Sequence, residues 1–420
     1  MLRKLVRVLF WLMMATSSVV LIEPAPTDLL VVLLLPLVLL IREGSLPRRI
    51  TAPSVFLWLF LMGNVLSIVN AVDPLHALIY ATITGYLVLL WMLVVAYIAK
   101  HGDSAVRLLW NGYLTAATLA VAVTVVAYFI DVPWREIVVY RGYRGKALFK
   151  DANVFGPFLV PAVLYCMLQS SRSARPKGQA YLVLAGFLTG GVILSFSRGA
   201  WLNLLASATM LLCGMAWFDG RKGRAPLRVA LGVVLAVGAL PFVLSVTGTR
   251  EFFSQRAALQ EYDAVRFTAQ RQAMTTVFRE PLGLGPGQAN EVLIQNPHNA
   301  YLHVAAENGW VGAIGFICLI VLTLHRTFKG AVQNREPLQD YFLVIGAALF
   351  GVLLNSMVID SLHWRHLWLL LAIPWGLPLE GASERKAPHG ISVRSSRTGI
   401  PVDNWEQGHC KDGGYGVRCL

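Results

Sequence analysis

Apolar runs of membrane-spanning length recur along most of this chain, and they constrain its fold more than any other feature. A helix needs about 20 predominantly apolar residues to cross the hydrocarbon core of a bilayer. Here 56% of the 420 residues are hydrophobic and only 14% are charged, whereas about a quarter of the residues in a typical globular protein are charged. The sequence therefore predicts an all-α polytopic membrane protein with about twelve transmembrane helices. The predicted spans are residues 5–22, 27–41, 53–72, 77–98, 108–130, 154–169, 181–197, 200–218, 229–247, 304–324, 341–359 and 367–379.

The charged loops predict how the chain crosses the membrane. Much of the net charge of +13 comes from Arg and Lys before the first span and after the second, sixth and eighth spans. Under the positive-inside rule such loops are cytoplasmic, so both termini are predicted to be cytoplasmic and the 131–153 and 248–303 loops to face the other side. We therefore attribute most of the positive charge to the orientation of the chain in the membrane, and we do not predict nucleic-acid binding. The N-terminus begins like a signal peptide but is interpreted as an uncleaved span, because the topology requires it.

The predicted topology divides the chain into four segments. Residues 1–130 form the N-terminal transmembrane helices, and residues 131–325 form a core that carries the 248–303 loop. Residues 326–379 form the last transmembrane helices. Residues 380–420 are rich in Ser, Gly, Arg and Pro, so this tail is predicted to be cytoplasmic and disordered.

Two loops on the outer face are basic, against the orientation bias. Alongside acidic residues, the first carries Arg135, Arg141, Arg144, Lys146 and Lys150, and the second carries Arg250, Arg256, Arg266, Arg271 and Arg279. An anionic substrate at the outer leaflet would favour such residues. Attraction to anionic lipid headgroups would favour them equally, and the sequence leaves both explanations open.

Arg198 and His298 are the polar residues whose positions indicate chemistry most directly. Arg198 sits between two apolar runs with almost no loop, where an Arg is costly unless it snorkels or meets an anion. We expect Gly199 to suit the tight turn and Ser195 and Ser197 to help cap exposed backbone groups there. His298 can act as a base because imidazole titrates near neutral pH. Alternatively it is an ordinary histidine at a helix start, with Asn299 as the helix cap.

Three further patterns in the same region are weaker. Residues 263–278 are predicted to form an interfacial amphipathic helix. The Gly- and Pro-rich residues 281–287 indicate a turn or a close backbone approach, since the strand–helix context and ending of a phosphate loop are missing. A zinc cluster of His303, His363 and His366 would lack any known ligand spacing.

Several motifs together resemble the O-antigen ligase and polymerase superfamily. Ser-Arg-Gly at 197–199 is similar to its SRG motif. Arg266-Phe267, followed by Pro-Leu-Gly-Leu-Gly-Pro-Gly at 281–287, is similar to its RF and P-x-G-x-G-P-G element. His298-Asn299, running into Glu-Asn-Gly-Trp-Val-Gly at 307–312, is similar to its HN-x-x-L and E-x-G-x-x-G element. Asp-Ala-Asn at 151–153 fits a D-P-N pattern in which Ala replaces Pro, and Asp-Ser-Leu at 360–362 is a further match.

The resemblance implies a metal-independent glycosyltransferase with a GT-C-like architecture and a periplasmic loop domain between spans 9 and 10. Such enzymes work at the periplasmic face of the bacterial inner membrane, among membrane lipids and without a cofactor. Their donor is a glycan linked to undecaprenyl diphosphate, and their acceptor is lipid A core or a growing glycan. The implied roles are catalysis for His298 and diphosphate binding for Arg198 and Arg266, with supporting candidates Asn299, Asn153, Arg144 and Arg271.

Three alternatives stay open beside a ligase, and the rarest of them is an enzyme of the same superfamily that glycosylates proteins. A polymerase of the same superfamily would join repeat units, and the single large external loop suits either enzyme. A transporter would fit the number of spans, but transporters carry ionisable residues near mid-membrane and broken helices in matching halves. Here the polar residues gather at the outer edge, which favours an enzyme, and the inferred mechanism is an inverting single displacement.

Overall fold

The described part of the chain is built almost entirely from helices. The structure is a computed structural model and describes residues 1–141, 143–219 and 261–380. Two-residue strands β1 (Val139–Tyr140) and β2 (Arg144–Gly145) pair antiparallel. The helices are α1 Leu2–Ala15, α2 Pro26–Leu40, α3 Thr51–Ser67, α4 Pro74–His101, α5 Asp103–Phe129, α6 Arg135–Val138, α7 Ala152–Arg172, α8 Lys177–Leu194, α9 Arg198–Asp219, α10 Glu261–Arg279, α11 Ala289–Val292, α12 Ala300–Gln333, α13 Leu338–Asn355 and α14 Arg365–Gly376.

Eight of the described helices are long and apolar enough to cross a membrane, which confirms an all-α polytopic membrane protein. They are Arg48–Asn70, Pro74–His101, Asp103–Phe129, Ala152–Arg172, Lys177–Leu194, Arg198–Phe218, Ala300–Gln333 and Leu338–Asn355. The predicted spans at 5–22, 27–41 and 367–379 coincide with the shorter helices α1, α2 and α14. The predicted span 229–247 lies outside the described residues, so the count of twelve stays a prediction.

The first helix ends earlier than its apolar run. The predicted span reaches residue 22, whereas α1 ends at Ala15. The Thr16 hydroxyl donates to the Leu12 carbonyl at 2.9 Å, and the Ser17 hydroxyl donates to the Met14 carbonyl at 2.6 Å. The Ser17 hydroxyl satisfies a carbonyl that a continuing helix would use, and the Thr16 hydroxyl bonds back to a carbonyl that already accepts the Thr16 N–H. Both side-chain bonds favour termination at this point.

Close helix contacts hold α12 and α13 beside the polar residues of interest. Helix α12 packs along α3 and against α13, and α13 packs along α9. A Cβ atom added to Gly315 would lie 2.5 Å from the Phe60 backbone nitrogen, so a glycine is needed where α12 crosses α3. Large fully buried side chains such as Trp91 and Trp368 fill the interior around these contacts.

The Gly-rich residues 281–287 pack against a break in α12. Gly309 interrupts that helix with φ 64° and ψ −171°, and the Trp310 backbone N–H donates to the Pro281 carbonyl at 3.0 Å. A Cβ atom on Gly309 would lie 2.5 Å from the Pro281 oxygen. The prediction of a close backbone approach is therefore confirmed. The Gly-rich segment contacts α12 backbone to backbone at the break.

The carboxylate of Glu307 also connects the Gly-rich segment to α12. It accepts hydrogen bonds from the backbone nitrogens of Gly287 at 2.8 Å and Ala289 at 2.9 Å. Glu307 is 1% exposed, and charge-assisted bonds of this kind are stronger than neutral ones. The side chain thus fixes the Gly-rich segment to the first turns of α12.

Gly309→Ala should destabilise the protein by about 1–3 kcal/mol, because a side chain is strained at this φ and its Cβ would meet the 281–282 backbone. The thermal unfolding midpoint of the detergent-purified variant would measure the loss. Gly186→Ala in α8 is the matched control, since nothing lies within 4 Å of its added Cβ. An unchanged midpoint for Gly309→Ala would contradict the described break in α12.

The predicted amphipathic segment 263–278 is confirmed as a helix, α10. Its Ala269 and Ala273 are fully buried. Phe267, Met274 and Phe278 recur every seven and four residues, so they lie on one face, and each is about half exposed or more. This exposed apolar face agrees with a helix that lies at a membrane interface, and its interfacial position stays a prediction.

Candidate functional site

A cavity of about 690 Å³ lies between the 140–153 segment, the start of α9, one face of α10 and the end of α13. Asp151 is the one carboxylate among the described lining residues. Six lining residues carry positive charge: Arg141, Arg144, Lys146, Lys150, Arg198 and Arg266. Basic residues that lie far apart in the sequence are thus brought to one concave surface, where a multiply charged anion would be stabilised.

The connection between α8 and α9 places Arg198 at the cavity. Arg198 is the first residue of α9. The Ser197 hydroxyl accepts from the Ala200 backbone N–H at 3.3 Å, and the Ser195 hydroxyl accepts from the Ser197 N–H at 3.3 Å. The predicted caps are confirmed, and they satisfy backbone donors that the helix start would otherwise leave without partners.

Gly199 has a different role from the one predicted. The turn itself is made by Phe196, which has φ 47°, whereas Gly199 is already inside α9. A Cβ atom on Gly199 would collide with the Asn355 side-chain oxygen. The expectation that Gly199 makes the turn is therefore wrong: its lack of a side chain lets α9 approach α13.

Arg144 and Asn153 form the wall of the cavity on the side of the short hairpin. Arg144 Nη2 donates to Asn153 Oδ1 at 2.9 Å, and its Nε donates to the Ser195 carbonyl at 3.4 Å. Asp151 Oδ1 accepts from the Asn153 backbone N–H at 3.0 Å and so caps α7. These bonds connect the hairpin, the start of α7 and the turn before Arg198.

Arg266 reaches the cavity from α10, together with its neighbours Phe267 and Gln270. Arg271 lies on the same helix, is exposed, and does not contribute to the cavity lining. Of the residues proposed to bind or support binding, the structure brings Arg198, Arg266, Arg144 and Asn153 together.

His298 lies just before α12 and is not itself a lining residue of the cavity. It is close enough to the lining residues Arg266 and Asp151 for their charges to act on its ring. Its backbone has φ 47°, and its N–H donates to Asn296 Oδ1 at 3.1 Å. Burial lowers the pKa of His298 below its ordinary 6.5, and the positive charge of the cavity residue Arg266 lowers it further. The ring is therefore favoured in its neutral form, which can accept a proton.

Asn299 caps α12 and does not line the cavity. Its Oδ1 accepts from the backbone nitrogens of Tyr301 at 3.1 Å and Leu302 at 3.0 Å, and its Nδ2 donates to the Met357 carbonyl at 3.1 Å. Its contacts are those of the helix cap that the alternative interpretation predicted.

Two further parts of this region were not recognised from the sequence. Asn355, at the end of α13, lines the cavity. The sequence signal for it was a polar residue at the end of an apolar span, at the predicted outer edge of the membrane. His303 lies between Asp360 and Glu307, at 2.6 Å and 2.8 Å. Among residues 1–141, 143–219 and 261–380, no three His, Cys, Asp or Glu side chains have an arrangement that could hold a metal ion.

The chemistry that this geometry supports is recognition of a phosphate-containing ligand beside a base. Planar guanidinium groups bind phosphate oxygens through two hydrogen bonds each, and they are less hydrated than ammonium groups. A neutral imidazole at the edge of such a cavity can take a proton from an attacking hydroxyl group.

Comparison with known proteins adds evidence independent of this geometry. The O-Antigen ligase family model matches residues 181–317, a range that contains Arg198, Arg266 and His298. An O-antigen ligase of Pseudomonas aeruginosa is 23% identical to the chain over 283 residues, which is 66% of this chain and 66% of the relative. The chain thus aligns with just under two thirds of that relative's length.

Proposed function

We propose that this chain, which belongs to the O-antigen ligase superfamily, is a membrane-embedded glycosyltransferase of the ligase type. It moves a glycan from undecaprenyl diphosphate to an acceptor sugar of the lipid A core at the periplasmic face of a bacterial inner membrane. A GT-C-like architecture is part of the same proposal. The observation that carries it is one cavity lined by Arg198, Arg266 and Arg144, with His298 close enough for the charge of Arg266 to lower its pKa.

The arginines stabilise the leaving group. As the glycosidic bond breaks, the polyprenyl diphosphate takes the bonding electron pair and gains negative charge. Arg198 and Arg266 bind its phosphate oxygens, and Arg144, held by Asn153, supports them. Positive charges that are already in place around the leaving group stabilise its developing charge without reorganising. In this mechanism guanidinium groups do the work that a divalent metal does in other sugar transferases.

His298 acts as the general base. Its neutral ring accepts the proton of the acceptor hydroxyl while the oxygen bonds to the anomeric carbon, opposite the departing diphosphate. One bond forms as one breaks, so the anomeric configuration inverts. No covalent enzyme intermediate is required.

The proposed orientation predicts a specific labelling pattern. After the native cysteines are replaced, a membrane-impermeant thiol reagent should label Glu280→Cys in spheroplasts but should label Ala174→Cys only after the inner membrane is permeabilised. Both positions are exposed, and they lie on loops predicted to face opposite sides. The reverse pattern would place the Arg cavity and His298 in the cytoplasm and contradict the proposal.

A polymerase is the alternative within the superfamily, but the family model and the relative are both described as ligases, which favours ligation. Lipopolysaccharide banding in a deletion strain separates the two. A ligase predicts loss of all long bands with accumulation of lipid-linked polymer. A core band carrying one repeat unit would instead identify a polymerase, and unchanged banding would contradict both activities.

A further inference from the structure

His303 joins two carboxylates inside the protein. The ring is 1% exposed, with Nδ1 at 2.6 Å from Asp360 Oδ2 and Nε2 at 2.8 Å from Glu307 Oε2. An imidazole that faces a carboxylate at each nitrogen is stabilised in its charged form. Here Nε2 meets Glu307 as an ion pair without hydrogen-bond geometry. The cluster therefore holds one cation between two anions, and removing the cation would leave the buried Glu307 and the partly buried Asp360 as uncompensated like charges.

Each carboxylate fixes a different chain segment. Glu307 holds the Gly-rich segment through the backbone nitrogens of Gly287 and Ala289. Asp360 accepts from the Leu362 backbone N–H at 3.1 Å and directly follows Ile359, which lines the cavity. Through its two nitrogens, His303 thus connects the Gly-rich segment to the cavity wall.

The turn that carries His298 is attached to the same cluster. The Asn296 side-chain oxygen accepts the His298 backbone N–H at 3.1 Å. Its amide nitrogen lies 3.4 Å from His303 Nδ1, and because that nitrogen donates to Asp360 in the charged ring, this is a packing contact and not a hydrogen bond. The His298 backbone has φ 47°, a conformation that costs about 1–3 kcal/mol in a residue other than glycine and persists only where the surroundings impose it. The contacts made by Asn296 supply part of that constraint.

We infer that His303 is a positioning residue: the Asp360–His303–Glu307 cluster, acting through Asn296, holds the backbone of His298 in place beside the cationic cavity. His303 does not itself contact the donor or the acceptor. The inference rests on the proposed role of His298 as the base, and it assigns to His303 a part in the alignment of that base.

The test compares purified His303→Gln with wild-type protein. Misplacement of a reacting group by about 1 Å can cost about 100-fold in rate, so kcat should fall by about 10- to 100-fold. Binding of the lipid-linked donor should stay close to that of the wild type, whereas the thermal unfolding midpoint should fall, because the substitution leaves two carboxylates without the cation between them. His325→Gln is the matched control, because His325 is an exposed histidine farther along α12. A folded His303→Gln protein with wild-type kcat would overturn the inference, and so would a loss confined to donor binding.

A second readout does not depend on glycan transfer. The rate at which diethyl pyrocarbonate modifies His298, followed by mass spectrometry, reports the environment of that ring. It should change in His303→Gln and stay constant in His325→Gln. An unchanged rate in His303→Gln would overturn the inference even if wild-type protein proved inactive in transfer.

If His303→Gln does not fold, the double variant His303→Gln/Glu307→Gln removes one carboxylate together with the cation. The same fall in kcat and the same change in the His298 modification rate are expected of it.

Discussion

His298→Ala is expected to lose about 10²–10⁴-fold in glycan transfer while it still binds the lipid-linked donor, because general-base assistance typically contributes a factor of that size. In the proposed mechanism the arginines of the cavity bind the donor diphosphate, and this substitution leaves them in place. Donor binding and turnover should be measured on the same purified variant. Lost binding would identify His298 as a donor ligand, and retained turnover would remove it from the mechanism.

The choice of control for His298 follows from the structure. His303 is five residues away along the chain and looks like a natural control by sequence. It is buried between two carboxylates, so its replacement would disturb the turn that carries His298. His325→Ala is the suitable control because that ring is exposed on α12.

The lowered pKa of His298 predicts how the rate of glycan transfer depends on pH. Burial and Arg266 lower the pKa of His298 below 6.5, and only the neutral ring accepts a proton. The transfer rate should therefore be constant above the folded-state pKa and fall as the pH drops through it, with a midpoint below about 6.5. The residual activity of His298→Ala should lack this acidic limb. A midpoint above 7 in the wild type would contradict the described surroundings of the ring.

Arg198→Lys and Arg266→Lys should each reduce transfer by about 10²–10³-fold, the range observed when one stabilising donor is removed from a developing anion. Lysine keeps the charge but loses the planar fork that binds two phosphate oxygens at once. Turnover of purified protein with a lipid-linked glycan donor would measure the effect, and expression should stay near normal because neither side chain belongs to the buried core.

Arg279→Lys provides the matched control for these two variants. Arg279 is exposed in the last turn of α10, the helix that carries Arg266, and does not line the cavity. We expect its activity to equal that of the wild type. Full transfer by both Arg198→Lys and Arg266→Lys would show that paired guanidinium binding of the diphosphate is wrong.

The helices were predictable from the sequence, while the contacts between them were not. Apolar runs identify helices because backbone groups in lipid must bond internally, and every predicted span within the described residues coincides with a helix. The early end of α1 depends on Thr16 and Ser17. These are two small polar residues, and they change the mean hydropathy of the surrounding apolar run very little.

The site shows the same division between local and distant information. The position of Arg198 at a tight turn was visible locally, and the resemblance to a family linked it to Arg266 and His298. The contact between Gly199 and Asn355 and the ion pair between His303 and Asp360 each join residues more than 50 positions apart. No periodicity or spacing encodes such contacts, so only the folded chain reveals why Gly199 and His303 stand where they do.

Reconstituted transfer tests the central claim most directly. Purified protein in liposomes would receive a glycan linked to undecaprenyl diphosphate, together with lipid A core as acceptor, in buffer containing a metal chelator. We predict that the glycan moves to the core in a single step with inverted anomeric configuration, and that His298→Ala fails to transfer it at a comparable rate. Elongation of the lipid-linked glycan with no product on the core would contradict the ligase assignment, and transfer that stops when the chelator is added would contradict the arginine-based mechanism.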